Sequence, residues 1–391
     1  MHVTKLFVGV AAAVLVLSGC AADAGGADDE PIEIGLITSL SGPLGPFGKA
    51  YVPAFEAGLK HATNGSMKVD GRPISVIEVD DQSDQASTLS GATKLVSDGV
   101  QIFGGTMSSG AVESLADFAE TNSVLYFSGF ATTDAATGAN DLTFRSGPEY
   151  YQHVMAISTI LGDDAVGKRM CLIHHDNEYG NALVGAAEDQ LAGVVGEFKT
   201  IAVPFPTIDV APYVLRLKQA KCDVVVPFLA GSVSDFWKGF QQQGITSDSL
   251  MISAVGARID WPTFIDAQTD NVKLFASYFV PDALDETRNE ADAALFEALA
   301  EEKVDIDYPS ADGFGFAVAL VQALEEAGSS APEDVAKALA GLQVDAPRGA
   351  ATVREQDHAL IAPMVQFHFE GDQRILDQVI PGDELEPPLV R

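Results

Sequence analysis

The feature that most constrains the fold is the stretch 101–134. A short apolar run ends at Gly104 and Gly105, then Val112, Leu115, Ala116 and Ala119 recur at helical spacing, and a second apolar run ends at Ser128 and Gly129. Strand, helix and strand in that order place the loops that leave both strands at one carboxyl edge of a sheet. The N–H groups that open the helix point outward there, unpaired and partly positive. Ser108 and Ser109 stand where an anion would be held, and the loop from Ser128 to Thr132 can add N–H and hydroxyl donors to the same group. The reading is a pocket for a small carboxylate.

The same alternation runs through most of the chain. Before this unit come a strand at 32–38, a turn-rich loop at 39–48, a helix at 51–63 and a strand at 73–79, with Asp84 as the cap of a helix ending near Asp98. Residues 142–148 read as a crossover and 149–161 as a helix. The pattern then restarts with strands at 170–174, 198–203, 223–228, 250–254 and 273–279, and helices at 179–191, 211–220 and 234–243. A charged helix from Thr287 buries Leu295 and Leu299, and a helix at 311–327 buries Phe316, Leu320 and Leu324. Residues 349–379 read as short strands with turns at Gln356-Asp357 and Gly371-Asp372. Such alternation predicts two α/β domains side by side, each a parallel sheet covered on both faces, and 391 residues suffice for both cores.

Charge narrows the partners. With 56 acidic against 23 basic residues the net charge is −33, which excludes a phosphate backbone or an anionic lipid surface as partner. Solubility accounts for the surface carboxylates, with adaptation to salt the other reading. The first twenty residues are a separate object: Lys5, an apolar run at 6–17 too short to span a bilayer comfortably, then Leu17-Ser18-Gly19-Cys20. They resemble a bacterial lipoprotein signal, which implies cleavage before Cys20, lipidation of that cysteine and a lipid-anchored protein at the cell envelope, in the periplasm or on the outer face of the cytoplasmic membrane. Residues 21–31, small and acidic, would be the tether.

Two cysteines remain, Cys171 at the head of one strand and Cys222 just before another. Neighbouring parallel strands would allow a disulfide, whereas two separate buried thiols are the commoner arrangement and the favoured expectation. No Gly-x-Ser-x-Gly, Ser-x-x-Lys or His-Glu-x-x-His occurs, so no catalysis is expected. His174-His175 point to opposite faces of a strand, so no metal is expected, nor any cofactor.

The order of pieces also carries a resemblance. Leu40-Ser41-Gly42-Pro43 with Phe47-Gly48, the pair Asp80-Asp81, Ser108-Ser109, Phe144-Arg145 with Pro148, and the run from His175 to Gly180 together resemble the leucine/isoleucine/valine-binding protein family of ABC importers. The resemblance covers the chain from Ile32 onward and implies a type I periplasmic-binding-protein fold, two doubly wound lobes joined by three crossovers. The lobes would comprise residues 32–147 with 281–349 and 148–280 with 350–391. Carried over, the carboxylate-holding serine is Ser108, the backbone donors are Phe130 and Thr132, and the second-lobe tyrosine is Tyr179. Phe47, Met107 and Phe130 would line the apolar part of the pocket.

Two departures stand out. The cysteine pair that staples two of the family's loops is absent, with Ser83 and Met107 near those places. The glutamate that pairs with a ligand ammonium is also missing from Ser253-Ala254-Val255-Gly256-Ala257-Arg258; Asp260 or Asp235 could substitute, and Arg258 and Trp261 could reach the ligand instead. The expected function is delivery of a small carboxylate, foremost an amino acid with an apolar side chain, to ABC permease and ATPase subunits by a monomeric binding protein. The alternatives are an apolar or aromatic acid without an ammonium group, and a ligand sensor on the same fold, which would need a membrane-spanning or signalling segment that is not expected here.

Overall fold

The computed structural model describes residues 30–283 and 288–390. Cys20, the signal segment and nearly all of the tether lie outside them, as does Thr287. The first sheet contains β1 (Ile32–Thr38), β2 (Lys68–Val69), β3 (Arg72–Asp80), β4 (Ile102–Gly104), β5 (Leu125–Phe127) and β6 (Thr143–Phe144), in the order β2-β3-β1-β4-β5-β6. All pairs are parallel except the β2–β3 hairpin. Its crossover helices are α1 (Gly45–Ala62), α2 (Gln85–Ser97) and α3 (Ser109–Asn122). Helix α1 starts earlier than its sequence suggests. Pro46 falls in its first turn, where a missing N–H costs nothing, and the helix runs on through Pro53. Asp84 caps α2 as expected, accepting from the Ser87 N–H at 2.8 Å.

The chain then crosses through α4 (Tyr150–Leu161) into a second sheet with β7 (Arg169–Asp176), β8 (Glu197–Pro204), β9 (Val224–Phe228), β10 (Leu250–Ala254) and β11 (Val272–Ala276), all parallel. Around it lie α5 (Glu178–Gln190), α6 (Ala211–Ala220), α7 (Ser234–Gln242), the short α8 (Ile245–Asp248) and α9 (Trp261–Ala267). Helix α9 is absent from the sequence reading, which passes from the strand at 250–254 to the strand at 273–279 with no helix between them. Parallel neighbours need a crossover, and at seven residues this one is too short to show a period.

Cys171 and Cys222 form a disulfide, with Cα atoms 5.7 Å apart. This corrects the expectation of separate thiols: β7 pairs directly with β9, which brings Cys171 beside the residues that lead into β9. Next, α10 (Glu290–Glu302), α11 (Tyr308–Ala327) and α12 (Pro332–Leu339) return to the first lobe. Phe316 of α11 stacks on Phe55 of α1 and on Phe127 of β5, filling one face of the first sheet. Leu95, Phe103, Val112 and Leu115 fill the other.

A small antiparallel sheet of β12 (Gln343–Ala346), β13 (Gly349–Val353) and β14 (Leu360–Ile361) follows and straddles residue 349, where the sequence reading places the return to the second lobe. It sits on the crossovers themselves: the Gly138 N–H donates to Asp357 O at 2.7 Å, and Gln152 Nε2 donates to Leu360 O at 2.9 Å. Finally β15 (Met364–Glu370) and β16 (Gln373–Ile380) add antiparallel to β11, completing the order β16-β15-β11-β10-β9-β7-β8. The architecture is a two-lobed α/β fold whose sheets meet at their carboxyl ends.

Candidate functional site

Between those carboxyl ends lies a cleft of about 320 Å³ lined from both lobes. Its first-lobe wall is built with little freedom. Gly105 has φ +116°, and a Cβ there would fall 1.5 Å from Ile37 O, so only glycine lets β4 turn against β1. Gly129, with φ +64°, is also closely packed: a Cβ there would fall 2.7 Å from Thr106 O. Asp81, wholly buried, accepts from Ser39 Oγ at 2.6 Å, from the Ser83 N–H at 2.8 Å and from the Thr106 hydroxyl, tying three loops together. Thr106 Oγ1 in turn accepts the Ser108 N–H at 3.2 Å. Ser108 is the N-cap of α3, yet its hydroxyl makes no capping bond and lines the cleft. The loop carrying Thr132 is clamped by buried Arg145, which donates to the carbonyls of Ala131, Thr133, Gly147 and Pro148.

The apolar part of this wall is aromatic. Phe47, Phe130 and Tyr308 form a triangle with centroids 5.0 to 5.9 Å apart. Opposite, the second lobe contributes Tyr179, Phe205, Trp237 and Phe275, and residues 253–256 at the end of β10.

Ser108, Ser109, Phe130, Thr132, Tyr179, Phe47 and Met107 therefore all lie along one cleft. Arg258 and Trp261 do not, which corrects the reading that placed them near a ligand. The Arg258 guanidinium donates to Ile306 O at 3.0 Å, pairs with Asp305 at 3.5 Å and lies over Trp261, whose indole N–H donates to Gly256 O. Asp260 is buried beneath α7, accepting from Ser232 and Ser234 hydroxyls and from the Val233 N–H, and Asp235 pairs with Lys238 on the surface. Neither acid reaches the cleft.

Several lining groups escape sequence reasoning, and three of them are polar groups that bear on a ligand. Glu178, at the first turn of α5, accepts from Tyr150 Oη at 2.7 Å and, across the lobes, from Thr133 Oγ1 at 3.4 Å. Although its side chain shows at the cleft rim, the protein around it desolvates the carboxyl and raises its pKa. The run from His175 to Gly180 marks Glu178 as belonging to a helix start, but not as a cleft residue. His153, on α4, and Ser277, just after β11, come from apolar segments that give no signal of a site.

A family model of periplasmic binding proteins matches residues 31–374. The Leu/Ile/Val-binding protein homolog 1 of Brucella abortus is 25% identical over 85% of this chain and 87% of its own length. A Rhodopseudomonas palustris structure described as an ABC-type branched-chain amino acid transporter superposes with a TM-score of 0.75 at 25% identity, over 92% of this chain and 99% of that one. A second protein from that organism, a solute-binding protein in complex with benzoate, gives 0.77 at 20% identity, over 90% and 97%. The match over most of the chain, the two sheets and the cleft between them place one conclusion beyond the resemblance: the chain belongs to the periplasmic binding protein family.

Proposed function

We propose that this ABC-type solute-binding protein takes a small carboxylate with an apolar, aromatic body and no ammonium group, and delivers it to permease and ATPase subunits of an importer. The observation that carries this reading is the loop 253–256, which lines the cleft without a single charged side chain while Asp235 and Asp260 are engaged elsewhere. Burying an ammonium there without a partner would be costly. The Ser108 hydroxyl, the opening turn of α3 and the loop carrying Thr132 supply donors for the carboxylate, and the aromatic triangle suits a flat ring. The benzoate complex of the R. palustris neighbour agrees with such a ligand.

A second reading, an apolar amino acid, is favoured by Glu178, a carboxylate on the cleft wall that could meet an ammonium. Calorimetry with benzoate, methyl benzoate, phenylalanine and leucine separates the two. Benzoate is expected to bind and its ester not; binding of the amino acids alone would overturn the first reading in favour of the second.

Anchoring through a lipid on Cys20 belongs to the same proposal. Among the described residues no helix is long and apolar enough to cross a membrane. Mass spectrometry of the protein from a membrane fraction is expected to find the acylated cysteine, and Cys20→Ser should release the protein.

A further inference from the structure

Ser277 is 4% exposed, lines the cleft, and has no hydrogen-bond partner for its Oγ. It follows β11 two residues after Phe275, which lines the same cleft, and the Phe275 ring meets His153 edge-on with centroids 5.6 Å apart. His153 is 8% exposed and lines the same cleft, and its ring nitrogens find no partner among the described residues. Burial pulls its pKa down to about 4, so at neutral pH the ring carries one N–H donor and one bare acceptor. A buried polar group without a partner calls for an explanation, and Ser277 is one, on the same second-lobe wall of the cleft as the His153 ring. Neighbouring Ser253 is not available in the same way, since its hydroxyl donates to Ala254 O at 2.7 Å.

We propose that Ser277 and His153 form a second polar subsite, which takes an uncharged hydroxyl on the body of the ligand while its carboxylate sits at Ser108. This rests on the carboxylate reading above and adds to it the second end of the ligand. An ammonium or a second carboxylate does not fit, because both groups are neutral and either ion would be buried without a counter-charge. A hydroxyl donates and accepts at once, which matches an imidazole and a serine. It also gives the ligand a hold on the second lobe, so a hydroxylated acid favours the closed form more than the plain acid does.

Calorimetry on the full chain with benzoate, 3-hydroxybenzoate and 4-hydroxybenzoate tests this. One of the hydroxylated acids is expected to bind at least about tenfold tighter than benzoate, the effect of about one net hydrogen bond. That ratio should fall toward one in Ser277→Ala and in His153→Phe. Benzoate binding as tightly as both hydroxylated acids would overturn the subsite and leave water as the partner of Ser277, and so would a ratio that survives both substitutions. The wild-type ratio suffices for the first of these outcomes, so a variant that fails to fold does not blunt the test. If none of the three acids binds, the carboxylate reading itself fails, and the subsite with it.

Discussion

Two residues of the first-lobe wall show how a backbone constraint becomes a binding site. Gly105 exists so that β4 can turn within touching distance of Ile37 O, and that turn delivers Thr106 to Asp81 and Ser108 to the cleft. Gly105→Ala would add both a positive-φ penalty and a clash with backbone that cannot retreat. It should lower the unfolding free energy by more than about 2 kcal/mol in urea titration. Ser108→Ala leaves the fold alone, since the hydroxyl caps nothing. Its expected effect is on binding: a loss of about 1–3 kcal/mol by calorimetry, the usual cost of removing a hydrogen bond to a charged group. Unchanged affinity would mean that the anion sits elsewhere.

Among elements, those with a clear period were legible and those defined only by their partners were not. The first strand, the strand at 250–254 and the helix at 211–220 coincide with their sequence readings residue for residue, because apolar runs and turn residues bound them sharply. Helix α9, at seven residues, carries too few turns to show an apolar stripe, whereas α12 carries one in Val335, Ala336 and Leu339 that the sequence reading does not pick up. The disulfide depended on strand order, and nothing in one sequence says that β9 rather than β8 leads away from β7 toward the sheet centre. The site divides the same way. Ser108 and Thr132 lie on loops whose position follows from the strand–helix unit, whereas Ser277 and His153, on the second lobe, matter only because the first lobe faces them. Closing a 51-residue separation, the Cys171–Cys222 bridge should contribute about 2–4 kcal/mol. The denatured, unreduced protein is expected to show no free thiol at these two positions, and a Cys171→Ala, Cys222→Ala variant to melt earlier by differential scanning calorimetry.

At the scale of the whole molecule the cleft can close only if its two walls attract each other through the ligand or directly, and the Glu178–Thr133 hydrogen bond is one such direct contact. Small-angle scattering should show a smaller radius with saturating benzoate than without, and an identical curve would reject ligand-driven closure. Glu178 is the titratable group at that contact. Desolvation by the surrounding protein raises its pKa, the Tyr150 and Thr133 hydroxyls oppose the rise, and Asp134 and Glu113 add to it. A raised pKa means that the folded protein holds this proton better than the unfolded chain does, so the linked stability is present at low pH and is lost as pH rises through the raised value. A bound acid raises the Glu178 pKa further, because a carboxylate held at Ser108 and the Glu178 carboxylate repel. Glu178→Gln should then bind benzoate at neutral pH as tightly as the wild type or up to about tenfold tighter, with the pH dependence flattened. An amino-acid ligand reverses the sign: its ammonium would pair with the carboxylate, and Glu178→Gln would weaken binding by about 2–5 kcal/mol. One substitution, titrated with benzoate and with phenylalanine across pH 5 to 8, thus decides whether Glu178 repels the cargo or holds it.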